Sequence, residues 1–119
     1  MAREKALDKK VMGFVEAEGG WCIKYWAGSN FTKKGVPDIL ACINGDFYGI
    51  EDKSDTGRPS MLQLKNLEWI RAAGGYGILL YPKDFKVFTE FTKDPNAHMD
   101  WYTDNIRLQE KWKKRLNSD

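Results

Sequence analysis

The chain has 119 residues, 42% apolar and 30% charged, the length and balance of one globular domain and not of a disordered or fibrous chain. Its formal net charge is only +2, from 19 basic and 17 acidic residues, so bulk charge does not by itself demand a nucleic-acid partner. A single histidine, His98, and no CxxC weigh against a Cys/His zinc site, and no apolar run approaches the ~18 residues of a membrane span.

The N-terminus, MAREKALDKK, does not read as a signal peptide. The expected location is cytoplasmic. In that reducing setting Cys22 and Cys42, each in a strand-like apolar run, are expected to be buried free thiols.

Residues 4–18 predict a helix, with Leu7, Val11, Phe14 and Val15 on one stripe and Gly19-Gly20 ending it. WCIKYW (21–26) predicts a strand, and AGSNFTKKG (27–35) a loop. Residues 38–43 and 46–53 predict two strands joined by Asn44-Gly45, the strongest short hairpin signal. SDTGRP (54–59) is a loop. A helix over 61–73 follows, with Met61, Leu64, Leu67 and Ile70 on one side and Gly74-Gly75 closing it. YGILLY (76–81) predicts a buried strand, and KVFTEF (86–91) alternates like an outer strand. A last helix over about 99–116 carries Trp101, Leu108, Trp112 and Leu116. The order predicts an α/β domain, a mixed β-sheet flanked by helices.

The hairpin sets up a site. With Asn44-Gly45 as a two-residue loop, Ile43 faces Asp46, and counting back Asp38 faces Glu51. Opposed residues have Cβ atoms roughly 4.5–5.5 Å apart, and like charges there are destabilising. Lys53, two residues on, points to the same face. A solvated strand end with a surface Glu–Lys pair is one reading. A divalent-metal site is the other: two carboxylates suit a hard cation, and the lysine could hold an attacking water or neutralise a phosphate.

Two further residues point the same way. On a helical wheel Glu4 falls on the inward stripe of the first helix, where an acid is unexpected, though a first-turn acid also suits the helix dipole. Asp8 is a weaker candidate for the same role. Ser60-Met61-Leu62-Gln63 is an S-x-x-Q capping box. That cap accounts for Gln63, while a glutamine there could also reach the site.

GVPD (35–38), Glu51-Asp52-Lys53 and RPSMLQ (58–63), followed by a helix ending in AAGG (72–75), occur in that order. Together they resemble the VRR-NUC nucleases, a branch of the PD-(D/E)XK superfamily, of the stand-alone phage and bacterial type. The likeness spans about residues 3–81 of a single 1–119 domain, with a C-terminal helical extension over about 95–119. It implies a restriction-endonuclease-like fold. It implies metal ligation by Asp38, Glu51, the Asp52 carbonyl and Glu4, with Mg²⁺ or Mn²⁺ as cofactor. It implies a catalytic lysine, Lys53, and a functional role for Gln63. It also implies a homodimer that cuts branched DNA, a four-way (Holliday) junction. Asp52 departs from the family pattern, where the middle residue of E-x-K is usually apolar. Either the strand ends there, or Asp52 meets a basic partner such as Arg71.

Lys24, Lys33, Lys34 and Arg58 flank the site in sequence and are candidate DNA-phosphate contacts. The C-terminal IRLQEKWKKRL interleaves aromatic and basic residues and could bind DNA, close a dimer or simply pack. The function expected is metal-dependent, structure-selective DNA endonuclease activity. The alternatives are a restriction- or repair-type enzyme acting on duplexes or flaps, and a non-catalytic DNA-binding subunit.

Overall fold

The computed structural model describes residues 2–26 and 33–118, with the side chains of residues 2–5 outside that description. Helix α1 (Ala2–Ala17) precedes strands β1 (Trp21–Lys24), β2 (Ile39–Ile43) and β3 (Asp46–Asp52). Helix α2 (Met61–Ala72) crosses over to strand β4 (Tyr76–Leu80), and α3 (Phe85–Lys93) and α4 (Met99–Ser118) complete the chain. The sheet runs β1-β2-β3-β4, antiparallel except for the parallel pair β3 and β4.

The turn between β2 and β3 is the one its sequence asks for. Asn44 (φ 52°) and Gly45 (φ 85°) both sit at positive φ, which only Asn and Gly adopt readily and which matches the twist of the flanking strands. Ile43 pairs with Asp46 and Ile39 with Ile50, the predicted register.

Alternation along the strands then divides the molecule into two layers. Ile39, Ala41, Ile43, Tyr48, Ile50, Ile78 and Leu80 face α1 and α3 and meet Leu7, Val11, Val15, Phe88 and Phe91. Leu79 and Tyr81 lie on the other side, with Leu64 and Leu67 of α2 and, at the margin, Leu108, Trp112 and Leu116 of α4. Helix α2 rests on neighbouring glycines of β3 and β4. A Cβ at Gly77 would lie 2.4 Å from the Leu67 carbonyl oxygen, and one at Gly49 would lie 2.4 Å from Ile70 Cδ1. Such close seating brings the start of α2 against the end of β3.

Residues 86–91 form part of α3, a helix and not the predicted outer strand. Phe85, Phe88, Phe91 and Thr92 recur at helical spacing. Phe88, Phe91 and Thr92 are buried, and Phe85 packs at the core's edge against Phe14. Taken alone, the six-residue window from Lys86 hides Phe85 and shows only a false alternation. Cys22 is buried as expected, but Cys42 is exposed, and both are free thiols. Cys42 points to the half of the sheet that α2 does not cover, in the row of Trp21 and Phe47.

The fourth strand ends in an unusual way. Its free edge is met by polar side chains of α4 rather than by another strand. Asn105 accepts from the Leu79 N–H (3.0 Å) and donates to the Leu79 carbonyl (2.7 Å). The Gly77 N–H donates to the Tyr102 hydroxyl (3.2 Å), and Gln109 Nε2 donates to the Gly77 carbonyl (2.9 Å). Tyr102, Asn105 and Gln109 are the buried residues of α4, so its inward stripe is polar because it satisfies a strand edge.

Candidate functional site

The site forms where β2, β3 and the start of α2 converge. The backbone N–H of Tyr25 donates to the Asp38 carbonyl (2.8 Å). Asp38 Oδ2 in turn accepts the backbone N–H of Asp52 (3.0 Å). The β2–β3 register, continued by one residue beyond Ile39 and Ile50, places Asp38 opposite Glu51. Glu51 is 1% exposed and Lys53 8%, so a surface ion pair does not describe them. Lys53 Nζ lies 3.2 Å from Glu51 Oε2 and donates to Gln63 Oε1 at 3.1 Å. The backbone N–H of Lys53 extends the β3–β4 ladder by donating to the Leu80 carbonyl (2.9 Å).

Gln63 closes the cap, and its side chain also reaches Lys53. Its N–H donates to Ser60 Oγ (3.1 Å), and its Oε1 accepts from the Ser60 N–H (2.9 Å), a complete capping box. The same Oε1 accepts from Lys53. One glutamine therefore ends the α2 backbone correctly and fixes the lysine ammonium beside Glu51.

Asp52 lies on the opposite face, turned towards α1. Strand β3 does end at Asp52, the first of the two accounts, whereas Arg71, the basic partner of the second, is engaged elsewhere, by Gln109 and Glu110. Asp52 is fully buried beside Asp8, and neither of its carboxyl oxygens accepts a hydrogen bond. Burial pushes its carboxyl well above the usual carboxylate range. A hydrogen bond to Asp8 and the negative charges of Asp8, Asp38 and Glu51 push it the same way. Protonated, it can donate that bond to Asp8. Asp8 is itself paired with Lys24, so α1 sends one acid inward at Asp8. The Glu4 side chain, the acid expected from the wheel, lies outside the described residues.

A neutral Asp52 has a measurable consequence. The native state holds a proton that the unfolded chain, with a pKa of about 3.9, releases. The stability this gives is complete below about pH 4 and is lost as pH rises towards the raised native value. Asp52→Asn keeps the shape and is neutral throughout. Its melting temperature relative to the native protein is expected to climb from pH 4 to pH 8, measured by circular dichroism in EDTA. A difference that is flat or falls with pH would sink the assignment.

Of the four basic residues read as DNA contacts, Lys24 is engaged by Asp8 and lies over the Trp26 ring. Lys33 is exposed over Trp69, Lys34 is exposed, and Arg58 is exposed over Trp112. Sequence reasoning missed the Asp8–Lys24 pair, although Asp8 stood near the inward stripe and Lys24 was on the adjacent strand.

The donor set suits a hard divalent cation. Among the described residues no group of three or more His, Cys, Asp or Glu side chains could hold a metal ion. Asp38 and Glu51 could supply two carboxylate ligands. Few protein oxygens and several waters is the usual arrangement for Mg²⁺. Among the described residues no helix is long and apolar enough to cross a membrane.

A solved structure described as a VRR_NUC domain is similar to this chain, at 24% identity with a TM-score of 0.59. The match covers 77% of this chain and 96% of that one. This chain thus has the fold of a VRR_NUC domain, an α/β fold with a mixed four-stranded sheet flanked by helices, and nearly a quarter of it has no counterpart there. No family model matches the chain. No curated protein matches it.

Proposed function

We propose that this protein is a metal-dependent endonuclease that hydrolyses phosphodiester bonds in branched DNA, such as a four-way junction, as a homodimer. The observation that carries the reading is the Lys53 ammonium, held between Glu51 and Gln63 on the face that Asp38 shares. A buried glutamate and ammonium beside a half-buried aspartate cost stability as a structural device, because desolvation offsets much of the ion-pair attraction. At an active site the same arrangement has a use.

Asp38 and Glu51 would hold the cation, with the Asp52 carbonyl beside them. Bound there, Mg²⁺ or Mn²⁺ would supply Lewis-acid charge stabilisation and lower the pKa of a bound water. The chain's own groups do the rest. The Asp52 N–H fixes the Asp38 carboxylate. The Ser60 N–H and Oγ fix Gln63, and Gln63 fixes Lys53. The ammonium is then placed to orient the attacking water and to offset charge on the phosphate oxygens. The water oxygen bonds to phosphorus and one P–O ester bond breaks, leaving a phosphate monoester and an alcohol.

A second copy is supported by a different surface. Trp21 (60% exposed), Ile23 and Phe47 lie on the half of the sheet that no helix covers among the described residues, and Trp69 of α2 is also exposed (52%). An apolar surface of this kind is normally covered by a partner.

The test is a cleavage assay on a labelled four-way junction, a flap, a single strand and a duplex, each with Mg²⁺, Mn²⁺ or EDTA. Asp38→Ala serves as control, and light scattering on the eluting protein gives its mass. Expected are metal-dependent, paired cuts in the junction by a dimer, and at least about a hundredfold loss in Asp38→Ala. Cutting of duplex or flap alone would keep the nuclease and discard the junction. Binding without cutting would leave a DNA-binding subunit.

A further inference from the structure

The basic and aromatic end of α4 has no part in the chemistry above, yet it is built around one ring. The guanidinium carbons of Arg58 and Arg115 lie over Trp112, 5.4 and 5.2 Å from its ring centroid. An arginine stacked on an aromatic face is pre-organised, and the N–H edge of Arg115 can then meet two oxygens of a phosphate. A cavity of about 480 Å³ opens beside Trp112, lined also by Lys111, Lys114 and Arg115. A second, of about 290 Å³, lies between Trp112 and the loop before α2, with Lys83 and the acid Asp55 at its wall.

The charges of α4 divide sharply. Arg107 is paired with Asp104, and Lys113 with Glu68 and Glu110. Among the described residues Lys111, Lys114 and Arg115 make no ion pair, and all three line one cavity. A helix that only solvated its outer face would have no reason to gather its uncommitted cations about an aromatic ring.

A single loop joins this surface to the candidate site. The Gly57 carbonyl accepts from the Tyr81 hydroxyl (2.8 Å). On its other side Gly57 is packed so closely that a Cβ would lie 3.1 Å from Lys53 Cβ. Arg58, the next residue, reaches Trp112. The loop therefore touches the Lys53 side chain with one residue and the ring with its neighbour.

We propose that Arg58, Lys111, Lys114 and Arg115, mounted about Trp112, form a clamp for the phosphate backbone of a DNA segment flanking the bond that is cut. The proposal rests on the nuclease reading and adds the surface by which the substrate is held. Interactions of this type fix the position of the duplex and carry no sequence information. The clamp reads backbone, and the branch-dependent choice of site lies elsewhere.

The test is equilibrium binding in EDTA, read as fluorescence anisotropy of two labelled duplexes of unrelated sequence and a four-way junction. The native protein is compared, over a salt series, with the Lys111→Ala, Lys114→Ala, Arg115→Ala triple variant. All three side chains border the open cavity, and a circular dichroism melt checks the fold. Affinity is expected to fall at least about tenfold on every DNA, with log K against log salt flattening by about 0.9 for each phosphate no longer neutralised. A folded variant with native affinity and salt slope would overturn the clamp and leave the nuclease standing. Weakened binding to one sequence only would also overturn it, because base reading would then be at work. A native protein that binds none of these DNAs would overturn the nuclease reading and the clamp with it.

Discussion

Replacing Lys53 by alanine is expected to lower cleavage by about a thousandfold or more while DNA binding in EDTA stays near native. The ammonium is the one positive group that the described residues fix between Glu51 and Gln63. Removing a preorganised charge that acts on the transition state costs about 10²–10³ even for a single donor. The structure adds a second effect. Glu51 is 1% exposed, and taking away its cationic neighbour leaves a buried carboxylate with less compensation, worth about 3–5 kcal/mol. Thermal denaturation in EDTA should therefore show a lower melting temperature in the alanine variant. Lys53→Arg separates the two effects. It restores charge near Glu51 and so most of the stability, but its planar fork cannot reproduce an ammonium seated between two oxygens. It should fold and still fail to cut. A divalent cation should raise the melting temperature of Lys53→Ala more than that of the native protein, because the cation no longer competes with the ammonium for Glu51. Full cleavage by either variant would refute the role given to Lys53.

What the sequence revealed and what it concealed follow from how local each signal is. The hairpin was legible because Asn44-Gly45 fixes a turn type, a turn type fixes a register, and the register carries Asp38 to Glu51. Gln63 was legible as a cap because the capping box spans four residues. That its oxygen also accepts from Lys53 depends on how α2 is seated on β3 and β4, and hence on Gly49 and Gly77. Helix α3 was misread because a six-residue window fits two periods equally, and the residue that breaks the tie, Phe85, lies one position outside it. Asp52 was seen to be anomalous, but its neighbour was not found. An acid buried against another acid is a poor guess until one of the two is known to hold a proton. Cys42 was expected to be buried because its strand is apolar. Burial depends on whether a helix covers that half of the sheet, and α2 covers only the other half.

Helix α4 is the strongest case, and it supports the second large prediction. Its visible apolar points, Trp101, Leu108, Trp112 and Leu116, are only partly buried, while the stripe that faces inward is Tyr102, Asn105 and Gln109. A hydrophobic-pattern reading places such residues in solvent. They are inside because β4 has a free edge, whose N–H and carbonyl groups would otherwise be buried without partners. Asn105 meets both polar groups of Leu79, and it also accepts from Gln109 Nε2 (2.9 Å), so the network is closed. Asn105→Ala is expected to destabilise the protein by about 2–5 kcal/mol, since each orphaned buried group costs about 1–3 kcal/mol. Against a typical total of about 5–15 kcal/mol this is a large fraction. Asn105→Leu, which restores volume but not the hydrogen bonds, should recover little. Asn105→Asp keeps the acceptor for the Leu79 N–H and loses the donor to its carbonyl, so it should do no better than the alanine variant once the buried charge is counted. Urea denaturation of the three variants decides the matter. If leucine restored native stability, the inward stripe would be packing by volume and not by hydrogen bonding.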